Sequence, residues 1–522
     1  MEKGFGENKI KIHNKNNFIN YQKIIEEAYL YQKQGNIIQA KKLYKKLFNL
    51  KIKNPLLYFY YGSFLEKLNN LEEAAMIYLK AIEIFPKDFN FYNCLGLLKK
   101  KEGNFKYSEK LFIQSIKLNV KFELGYVNLG NLYSSIGKIS QAEDIYRKVL
   151  SFNSNSELGN LNLGTLLTSK GFLKEAEELF LNVIEINPKS AEAFFSLSKF
   201  KNINTNLIFK NKLFSEDVLS DQNLFGRVNI YFARANILHL EKKYMESAKN
   251  LFLANSHKLE IRKSDSKKRI DYSNSLFQKY SVNKTKNIID KKKSNYIFIV
   301  GMPRSGSTLL ESIISINDDV IALGESEALN LSYNEWLFNN KKKSFIDFYN
   351  KNIKITLPEK SIITDKNLSN FQYSPVILKE IKGSKIIHCF RNPLDNILSI
   401  FRSNFRNGFS YSSSLIDTAY VYVNQSMLMA KYKKLYKDNI YSINYDLLVT
   451  NPEKEIKDLA KWLDFDWKED YLSPHLNKRA VETTSRIQVR SPINALSINS
   501  WKNYQEMLTE VIDWFEEINF EY

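Results

Sequence analysis

The first half of the chain repeats itself every 34 residues, and this period strongly limits what it can fold into. Between residues 23 and 201, three kinds of residue recur at that interval. They are small residues (Ala40, Ala74, Ser108, Ala142, Ala176), aromatic residues (Tyr44, Tyr78, Phe112, Tyr146, Phe180) and glycines (Gly62, Gly96, Gly130, Gly164). Such a period is typical of stacked helix pairs, because one unit cannot bury its apolar face alone. We expect the small residues to let the two helices of a unit approach closely, and the aromatic residues to fill the gap between neighbouring units.

The pattern resembles the tetratricopeptide repeat, with turn glycines such as Gly35 and Gly103 and with Pro86 and Pro188 closing units. Five units are clear, and a sixth, less regular unit follows a stretch around 202–225 that keeps no repeat. The resemblance implies an all-α solenoid over residues 23–257, after an N-terminal segment 1–22. Its concave side is expected to bind a protein or peptide, and a rigid spacer or a homodimerisation surface is the alternative.

A second constraining stretch, residues 295–312, combines an apolar β-type run, a glycine-bounded turn and a helix start. The spacing Gly301-x4-Gly306 followed by Ser307 and Thr308 is that of a Walker A loop, whose backbone N–H groups bind a phosphate. Ser307, however, occupies the position of the usual lysine, and the loop cation is Arg304. The stretch therefore predicts a phosphate-binding loop without the charge clamp of a triphosphatase.

Three further β-type runs alternate with helical segments, at residues 320–323, 361–364 and 384–390. This alternation predicts a parallel sheet, in which ligands bind beyond the carboxyl ends of the strands. Glu325, Lys366 and Arg391 each follow one of these runs. We therefore expect the three side chains to lie at the same edge of the sheet.

Residues 303–309 and 385–405 resemble the 5′-phosphosulfate loop and the 3′-phosphate motif of sulfotransferases that use 3′-phosphoadenosine 5′-phosphosulfate (PAPS). The likeness is closest to the tyrosylprotein sulfotransferases and their tetratricopeptide-fused relatives, and residues 445–453 and 484–494 extend it. It implies an α/β P-loop-type sulfotransferase domain with a parallel sheet over residues 295–522. It also implies PAPS as co-substrate and no metal.

The same resemblance assigns roles to individual residues. The cofactor-binding set is Arg304, Ser305, Gly306, Ser307, Thr308, Arg391, Ser399, Tyr445, Gln488 and Arg490. The catalytic set is Glu325 as the base, Lys366 at the bridging oxygen and Ser485 as a supporting hydroxyl. Glu327 stays open as an alternative base, and both glutamates could instead be helix N-terminal carboxylates. His388, inside an apolar strand, is interpreted as a hydrogen-bonded structural histidine.

Composition narrows the classes of partner. The net charge of +19 is spread along the whole chain, so it does not indicate a nucleic-acid surface. Cys94 and Cys389 are the only cysteines, which predicts neither a disulfide framework nor a zinc site and fits a reducing compartment. We find no apolar run of about 18 residues and no secretory leader, so we expect a cytoplasmic protein without a membrane partner. Charge runs such as Lys291–Lys293 mark 258–294 as a solvated connection.

The resemblance to sulfotransferases implies transfer of a sulfuryl group from PAPS to an acceptor hydroxyl, on a peptide, protein or glycan. Peptide tyrosine is the candidate that the resemblance favours, with the repeats binding the acceptor or a partner. One alternative is a P-loop kinase or another nucleotide-binding enzyme. Another is a repeat scaffold whose nucleotide domain is vestigial.

Overall fold

The computed structural model describes residues 21–200, 206–281, 295–353, 361–405, 408–477, 479–481, 483 and 485–522. The chain divides into two compact units, Met1–Leu166 and Leu167–Tyr522. Nearly all of the predicted N-terminal segment 1–22, and the charge run Lys291–Lys293, lie outside the described residues. The boundaries drawn from the sequence at 22, 257 and 294 stay predictions.

The first unit is built from antiparallel helix pairs at the predicted period. The helices are α1 (Tyr21–Lys33), α2 (Ile37–Asn49), α3 (Pro55–Lys67), α4 (Leu71–Ile84), α5 (Phe89–Lys101), α6 (Phe105–Leu118), α7 (Glu123–Ser135) and α8 (Ile139–Phe152). The next helix, α9 (Glu157–Lys170), begins in this unit and ends in the second. The predicted helical solenoid is confirmed.

The repeated glycines and aromatic residues pack against each other within a unit. A Cβ atom at Gly62 would lie 2.3 Å from the ring of Tyr78, and one at Gly130 would lie 2.4 Å from the ring of Tyr146. Only glycine leaves room for a buried ring at this distance. These aromatic side chains thus lie against the first helix of their own unit, a contact that the sequence analysis did not predict. Tyr44 and Tyr78 also reach the next unit, as the sequence analysis expected: the Tyr44 ring stacks on Tyr61 at 5.4 Å, and the Tyr78 hydroxyl contacts the thiol of Cys94.

The second unit begins with further helices and continues into the sheet domain. The helices before the sheet are α10 (Leu173–Ile186), α11 (Ala191–Leu197), α12 (Leu207–Phe214), α13 (Leu224–Leu240), α14 (Tyr244–Ile261) and α15 (Ser266–Ser281). Phe232 of α13 and Leu251 of α14 share one buried core with Leu398 and Phe515 from the sheet domain. The last helix pair is therefore part of the same hydrophobic core as the domain that follows it.

The sheet has five parallel strands in the order β2-β3-β1-β4-β5. They are β1 (Tyr296–Gly301), β2 (Val320–Ala322), β3 (Ile362–Asp365), β4 (Lys385–Phe390) and β5 (Ile440–Asn444). Four of them are the runs predicted from sequence, and β5 is additional. The predicted parallel sheet is confirmed, and all five carboxyl ends meet at one edge.

Helices cover both faces of the sheet. They are α16 (Ser307–Ile314), α17 (Ala328–Phe338), α18 (Phe345–Ile353), α19 (Ser374–Glu380), α20 (Pro393–Phe401), α21 (Leu415–Leu435), α22 (Tyr445–Thr450), α23 (Pro452–Leu463) and α24 (Thr509–Glu517). On one face, Phe298 of β1 shares a core with Leu276 of α15 and Leu428 of α21. On the other face, Ile299 of β1 packs with α16 and α23. Part of the predicted connection 258–294 is thus a helix, α15, that contributes a buried leucine to the core.

Two negative findings apply to the described ranges. No helix there is both long enough and apolar enough to cross a membrane. No cluster of three or more histidine, cysteine, aspartate or glutamate side chains within those ranges is arranged to hold a metal ion. Cys94 and Cys389 are both free thiols, and burial raises the pKa of Cys94 to about 12.

Candidate active site

The predicted phosphate loop joins β1 to α16, and two glycines make its path possible. Gly301 has a φ of +150°, and a Cβ atom there would lie 2.2 Å from the carbonyl oxygen of Cys389. Gly306 has a φ of +92°, and a Cβ atom there would lie 2.4 Å from Cδ2 of Tyr445. A side chain at either position would collide with its neighbour and would strain the backbone. The loop therefore runs directly against β4 and Tyr445.

The first turn of α16 presents unpaired hydrogen-bond donors. Helix geometry leaves its first backbone N–H groups without partners inside the helix. No side chain among the described residues caps them, and no acidic residue lies in this turn. The Ser305 hydroxyl beside it is buried and has no hydrogen-bond partner among the described residues. Together with the positive end of the helix dipole, these donors favour a bound anion.

Arg304 brings three of the predicted site residues together. Its Nε lies 3.1 Å from Oγ of Ser399, one terminal nitrogen donates to Oγ of Ser485, and the other lies 2.6 Å from Oε1 of Gln488. All three acceptors are neutral, and no carboxylate in the described part of the chain pairs with this guanidinium. Burial and the nearby Arg391 lower the pKa of Arg304 to about 10. Arg304 is thus an unneutralised cation in a site built from polar groups.

Arg391, at the end of β4, is 5% exposed. One terminal nitrogen donates to the carbonyl oxygen of Ser497 at 2.9 Å, and lies 3.6 Å from a carboxylate oxygen of Asp395. Its Nε is 4.0 Å from Oδ1 of Asp446, and neither of these two atoms has a hydrogen-bond partner among the described residues. The guanidinium is therefore oriented by its neighbours but retains an unsatisfied donor.

Tyr445 lies between the two arginine clusters. Its ring blocks any side chain at Gly306 of the phosphate loop, and the guanidinium of Arg391 lies 4.7 Å from its centroid. Its hydroxyl is 3.0 Å from Oγ of Ser497. The phosphate loop and the Arg391 cluster are consequently neighbours across one aromatic ring.

Lys366 and Glu325 form an ion pair at the carboxyl ends of β3 and β2. Nζ of Lys366 lies 2.9 Å from Oε1 of Glu325, and the lysine side chain is fully buried while the glutamate is 47% exposed. The backbone N–H of Lys366 also donates to the carbonyl of Gly324 at 2.8 Å. Glu327 is the residue that precedes α17, and its Oε1 lies 3.4 Å from Nδ2 of Asn367, the residue after Lys366.

Asp365, next to Lys366, holds the turn after β3. Its carboxylate accepts hydrogen bonds from the hydroxyl of Tyr349 at 2.8 Å, the side chain of Asn370 at 3.0 Å and the backbone N–H of Asn367 at 3.1 Å. Burial raises the pKa of Asp365 to about 7, although these hydrogen bonds oppose the shift. The carboxyl group therefore fixes the backbone that carries Lys366.

Glu311, on α16, is a fully buried carboxylate that joins four segments of the site. Its Oε1 accepts from the backbone N–H of Gly324 at 3.2 Å and from the hydroxyl of Thr364 at 3.3 Å. Its Oε2 accepts from Arg479 at 2.9 Å. The sequence analysis missed this residue, although a lone glutamate within the apolar run 309–314 was a usable signal.

The segment after Arg479 closes over the phosphate loop. Ser485 and Gln488 contact Arg304, as described above, and the hydroxyl of Thr483 lies 3.4 Å from that of Thr308. The predicted closing segment thus meets the loop through hydroxyl and amide groups. Glu482 and Thr484 in this segment lie outside the described residues.

Arg490 does not reach this cluster. Its guanidinium donates to the backbone carbonyls of Ser169, Asn477 and Arg479. A Cβ atom at Gly171 would lie 3.1 Å from its Nε, so Arg490 is packed tightly against α9 and the turn that follows it. These contacts anchor the closing segment and give no support to Arg490 as a cofactor ligand.

His388 stacks on Phe390 in β4, with ring centroids 5.7 Å apart. Burial and Lys433 lower its pKa to about 4, so the ring is neutral near pH 7. No hydrogen bond to the ring is found within the described ranges, whereas the sequence analysis expected one. Its position in the strand agrees with a structural role.

Models of known protein families match parts of both halves of the chain. A tetratricopeptide repeat model matches residues 57–88 and 125–156, and a model described as "Sulfotransferase family" matches residues 330–469. The chain contains tetratricopeptide repeats and a sulfotransferase family domain. Lys366, Arg391, Ser399 and Tyr445 lie within the matched part of the sulfotransferase domain. The phosphate loop, Glu325 and the closing segment lie outside it.

Two curated relatives and one solved structure illustrate the likeness. An uncharacterized protein of Aquifex aeolicus is 30% identical over 246 residues, which are 42% of this chain but only 32% of that protein. A putative protein-tyrosine sulfotransferase of Caenorhabditis briggsae is 24% identical over 231 residues, 39% of this chain and 80% of the relative. A tetratricopeptide repeat protein of Parabacteroides merdae matches with 20% identity and a TM-score of 0.34, over 45% of this chain and 93% of the other.

Proposed function

We propose that this protein transfers a sulfuryl group from PAPS to an acceptor hydroxyl, with peptide tyrosine as the acceptor. The observation that carries the proposal is that the phosphate loop with Arg304 and the guanidinium of Arg391 lie on either side of the Tyr445 ring. A ligand with one negatively charged group for each arginine fits this arrangement. PAPS has such groups at its 3′ and 5′ ends.

The residues present fit this co-substrate. The unpaired donors are those of the α16 N-terminus, Ser305 and Arg391. We assign Arg304, Ser305, Gly306, Ser307 and Thr308 to the 5′ end, because backbone N–H groups and a guanidinium suit a phosphate. We assign Arg391 and Ser399 to the 3′-phosphate, with Tyr445 and Gln488 between the two ends. When bound, PAPS supplies the sulfuryl group that the acceptor receives.

Catalysis then depends on the Glu325–Lys366 pair. Glu325 is exposed enough to meet an acceptor and takes the proton of its hydroxyl, while the buried Lys366 ammonium supplies the positive charge that Ser307 does not. Ser485 supports Arg304 through its hydroxyl. We favour Glu325 over Glu327 as the base because Glu325 is the glutamate that pairs with Lys366.

The tyrosine acceptor is supported by the name of the Caenorhabditis briggsae relative, a putative protein-tyrosine sulfotransferase. Binding of the acceptor or another protein to the repeats is part of the same proposal, because stacked helical repeats present an extended surface. A cytoplasmic location is also proposed. It rests on the cysteine usage and on the lack of an apolar span, not on a contact within the site.

The proposal is tested by incubating the purified full-length protein with radiolabelled PAPS and tyrosine-containing peptides. We expect label on the phenolic oxygen, located by mass spectrometry, and none on a matched peptide with phenylalanine for tyrosine. Lys366→Ala should abolish the transfer. Label found only on glycans would show that the acceptor is a glycan and not peptide tyrosine. Transfer of phosphate from ATP in place of sulfate from PAPS would contradict the proposal.

A further inference from the structure

A small pocket open to solvent lies beside the start of the phosphate loop. Gly301 and Pro303 form part of its lining, and the rest comes from α15, α21, the 3-10 helix Leu368–Tyr373 and the turn around 409–411. The wall Leu368–Gln372 begins two residues after Lys366. The pocket therefore borders both the phosphate loop and the turn that carries the catalytic lysine.

Three of the fourteen described residues that line the pocket are aromatic, namely Phe371, Phe409 and Tyr411. The Arg269 guanidinium lies 5.4 Å from the ring centroids of both Phe409 and Tyr411 and is paired with Asp265 at 2.7 Å. Asp265 also accepts the backbone N–H of Tyr411 at 3.1 Å. This wall is held by an ion pair and by stacking, so its shape is set before any ligand binds.

One buried polar group in the lining has no partner. Gln425 of α21 is 3% exposed, and its Nε2 makes no hydrogen bond within the described ranges. The neighbouring Asn424 is satisfied, since it donates to Asn274 and accepts from Ser273. A buried amide donor without an acceptor is unfavourable, because it has lost its hydrogen bonds to water and gained none in the protein. The pocket thus combines aromatic walls with a donor that requires an oxygen atom.

The residues that contact the proposed nucleotide do not line this pocket. Arg304, Arg391, Ser399, Tyr445 and Gln488 are all absent from its described lining. A flat ring bound there would therefore be separate from the nucleotide and next to the reaction centre.

We infer that this pocket binds the aromatic ring of the acceptor and that Gln425 donates a hydrogen bond to an oxygen atom of the acceptor. The inference rests on the proposed sulfuryl transfer and deepens it. It assigns the preference for an aryl hydroxyl to Phe371, Phe409, Tyr411 and Gln425. A serine or threonine acceptor would leave these aromatic side chains uncovered.

Two variants test the pocket without touching the proposed catalytic or nucleotide-binding residues. Ser369→Trp fills it from a half-buried lining position, and Gln425→Leu removes the amide donor at similar volume. Phe338→Trp serves as the matched control, because Phe338 is 87% exposed and does not line the pocket. Each protein is measured for binding of 3′-phosphoadenosine 5′-phosphate, for binding of N-acetyltyrosine amide by ligand-observed NMR, and for sulfate transfer.

We expect Ser369→Trp and Gln425→Leu to weaken tyrosine amide binding and the kcat/KM for tyrosyl peptides by about tenfold or more. Nucleotide affinity should stay within about twofold of the wild type. Unchanged tyrosine amide binding in both variants would overturn the inference, whether or not the protein transfers sulfate. Loss of nucleotide affinity would show that the pocket binds the nucleotide, and this result would also overturn the inference. Absence of sulfate transfer by the wild type, with tyrosine amide binding intact, would contradict the proposed function alone.

Discussion

Nε of Arg304 lies 3.1 Å from Oγ of Ser399, although the two residues are 95 positions apart in the chain. The contact joins the cation of the phosphate loop to the serine of the second motif. Two stretches that the sequence analysis assigned to the two ends of one nucleotide therefore meet at this hydrogen bond.

Replacing Arg304 by lysine should weaken nucleotide binding by about tenfold or more. Lysine keeps the positive charge but cannot donate at once to Ser399, Ser485 and Gln488, as the planar guanidinium does. Calorimetric titration with 3′-phosphoadenosine 5′-phosphate measures the effect. Arg227→Lys, at an exposed position of α13, is the control and should bind normally. Equal affinities for the two variants would show that Arg304 acts only through its charge.

Glu325→Ala and Lys366→Ala should each abolish transfer while leaving nucleotide binding largely intact. Both side chains lie in the ion pair after β2 and β3, whereas the nucleotide is assigned to the loop and to Arg391. Steady-state transfer assays and calorimetry separate the two effects. Glu327→Ala is the companion variant and should retain activity. Full activity of Glu325→Ala with loss in Glu327→Ala would transfer the role of base to Glu327.

Gly306→Ala should destroy nucleotide binding, because its Cβ would lie 2.4 Å from the ring of Tyr445. Gly137→Ala is a matched control: its φ of +76° is also left-handed, but no atom lies within 4 Å of the added Cβ. Both variants carry a backbone strain of about 1–2 kcal/mol. Only Gly306→Ala should change the titration with nucleotide. A similar loss in both would indicate general destabilisation in place of a specific clash.

Glu311→Gln should lower kcat and stability together. Glutamine can still accept from Gly324 and Thr364, but it removes the charge that pairs with Arg479, and breaking a buried pair destabilises a protein by about 3–5 kcal/mol. Denaturant titration measures the free energy of unfolding, and transfer kinetics measure kcat. Glu335→Gln, in a surface pair with Lys351, should change neither by a measurable amount. A Glu311→Gln protein with normal kcat would show that the charge of this carboxylate is not needed to hold the segments of the site together.

Asp365 should make the protein less stable as the pH rises from about 4 to about 7. Its pKa in the folded protein is about 7, above its ordinary value of 3.8, so the folded state binds a proton that the unfolded state has already lost. Stability then falls with pH across that window. Asp365→Asn removes the titrating group. The midpoint temperature of thermal unfolding should fall less from pH 4 to pH 7 in the variant than in the wild type. An equal fall in the two proteins would contradict the raised pKa of Asp365.

The sequence predicted the elements whose patterns are local. The repeat period and four of the five strands follow from the spacing of apolar, small and glycine residues. The β5 strand was missed because Ser442 and Asn444 interrupt the apolar residues of Ile440–Asn444, and because the strand follows a charged turn. The packing of the Tyr78 ring against Gly62 of its own unit could not be read from a period alone, because the period does not say which helices meet.

The candidate site was predicted only in part, because some of its residues lie in short local motifs and others are brought in by long-range contacts. Arg304, Ser399, Ser485 and Gln488 occur in recognisable motifs, and the structure brings them together. Glu311, Arg479 and Ser497 depend on long-range contacts that no short motif encodes. Arg490 lies in the same predicted motif, yet its side chain donates to backbone carbonyls, because the local turn of the segment decides where it points.

The most direct test of the account compares two nucleotides by calorimetry on the full-length protein. If the clusters around Arg304 and Arg391 bind the two ends of one molecule, 3′-phosphoadenosine 5′-phosphate should bind at least about tenfold more tightly than adenosine 5′-phosphate. Arg391→Ala should remove that difference. Equal affinity for the two nucleotides in the wild-type protein would contradict the account.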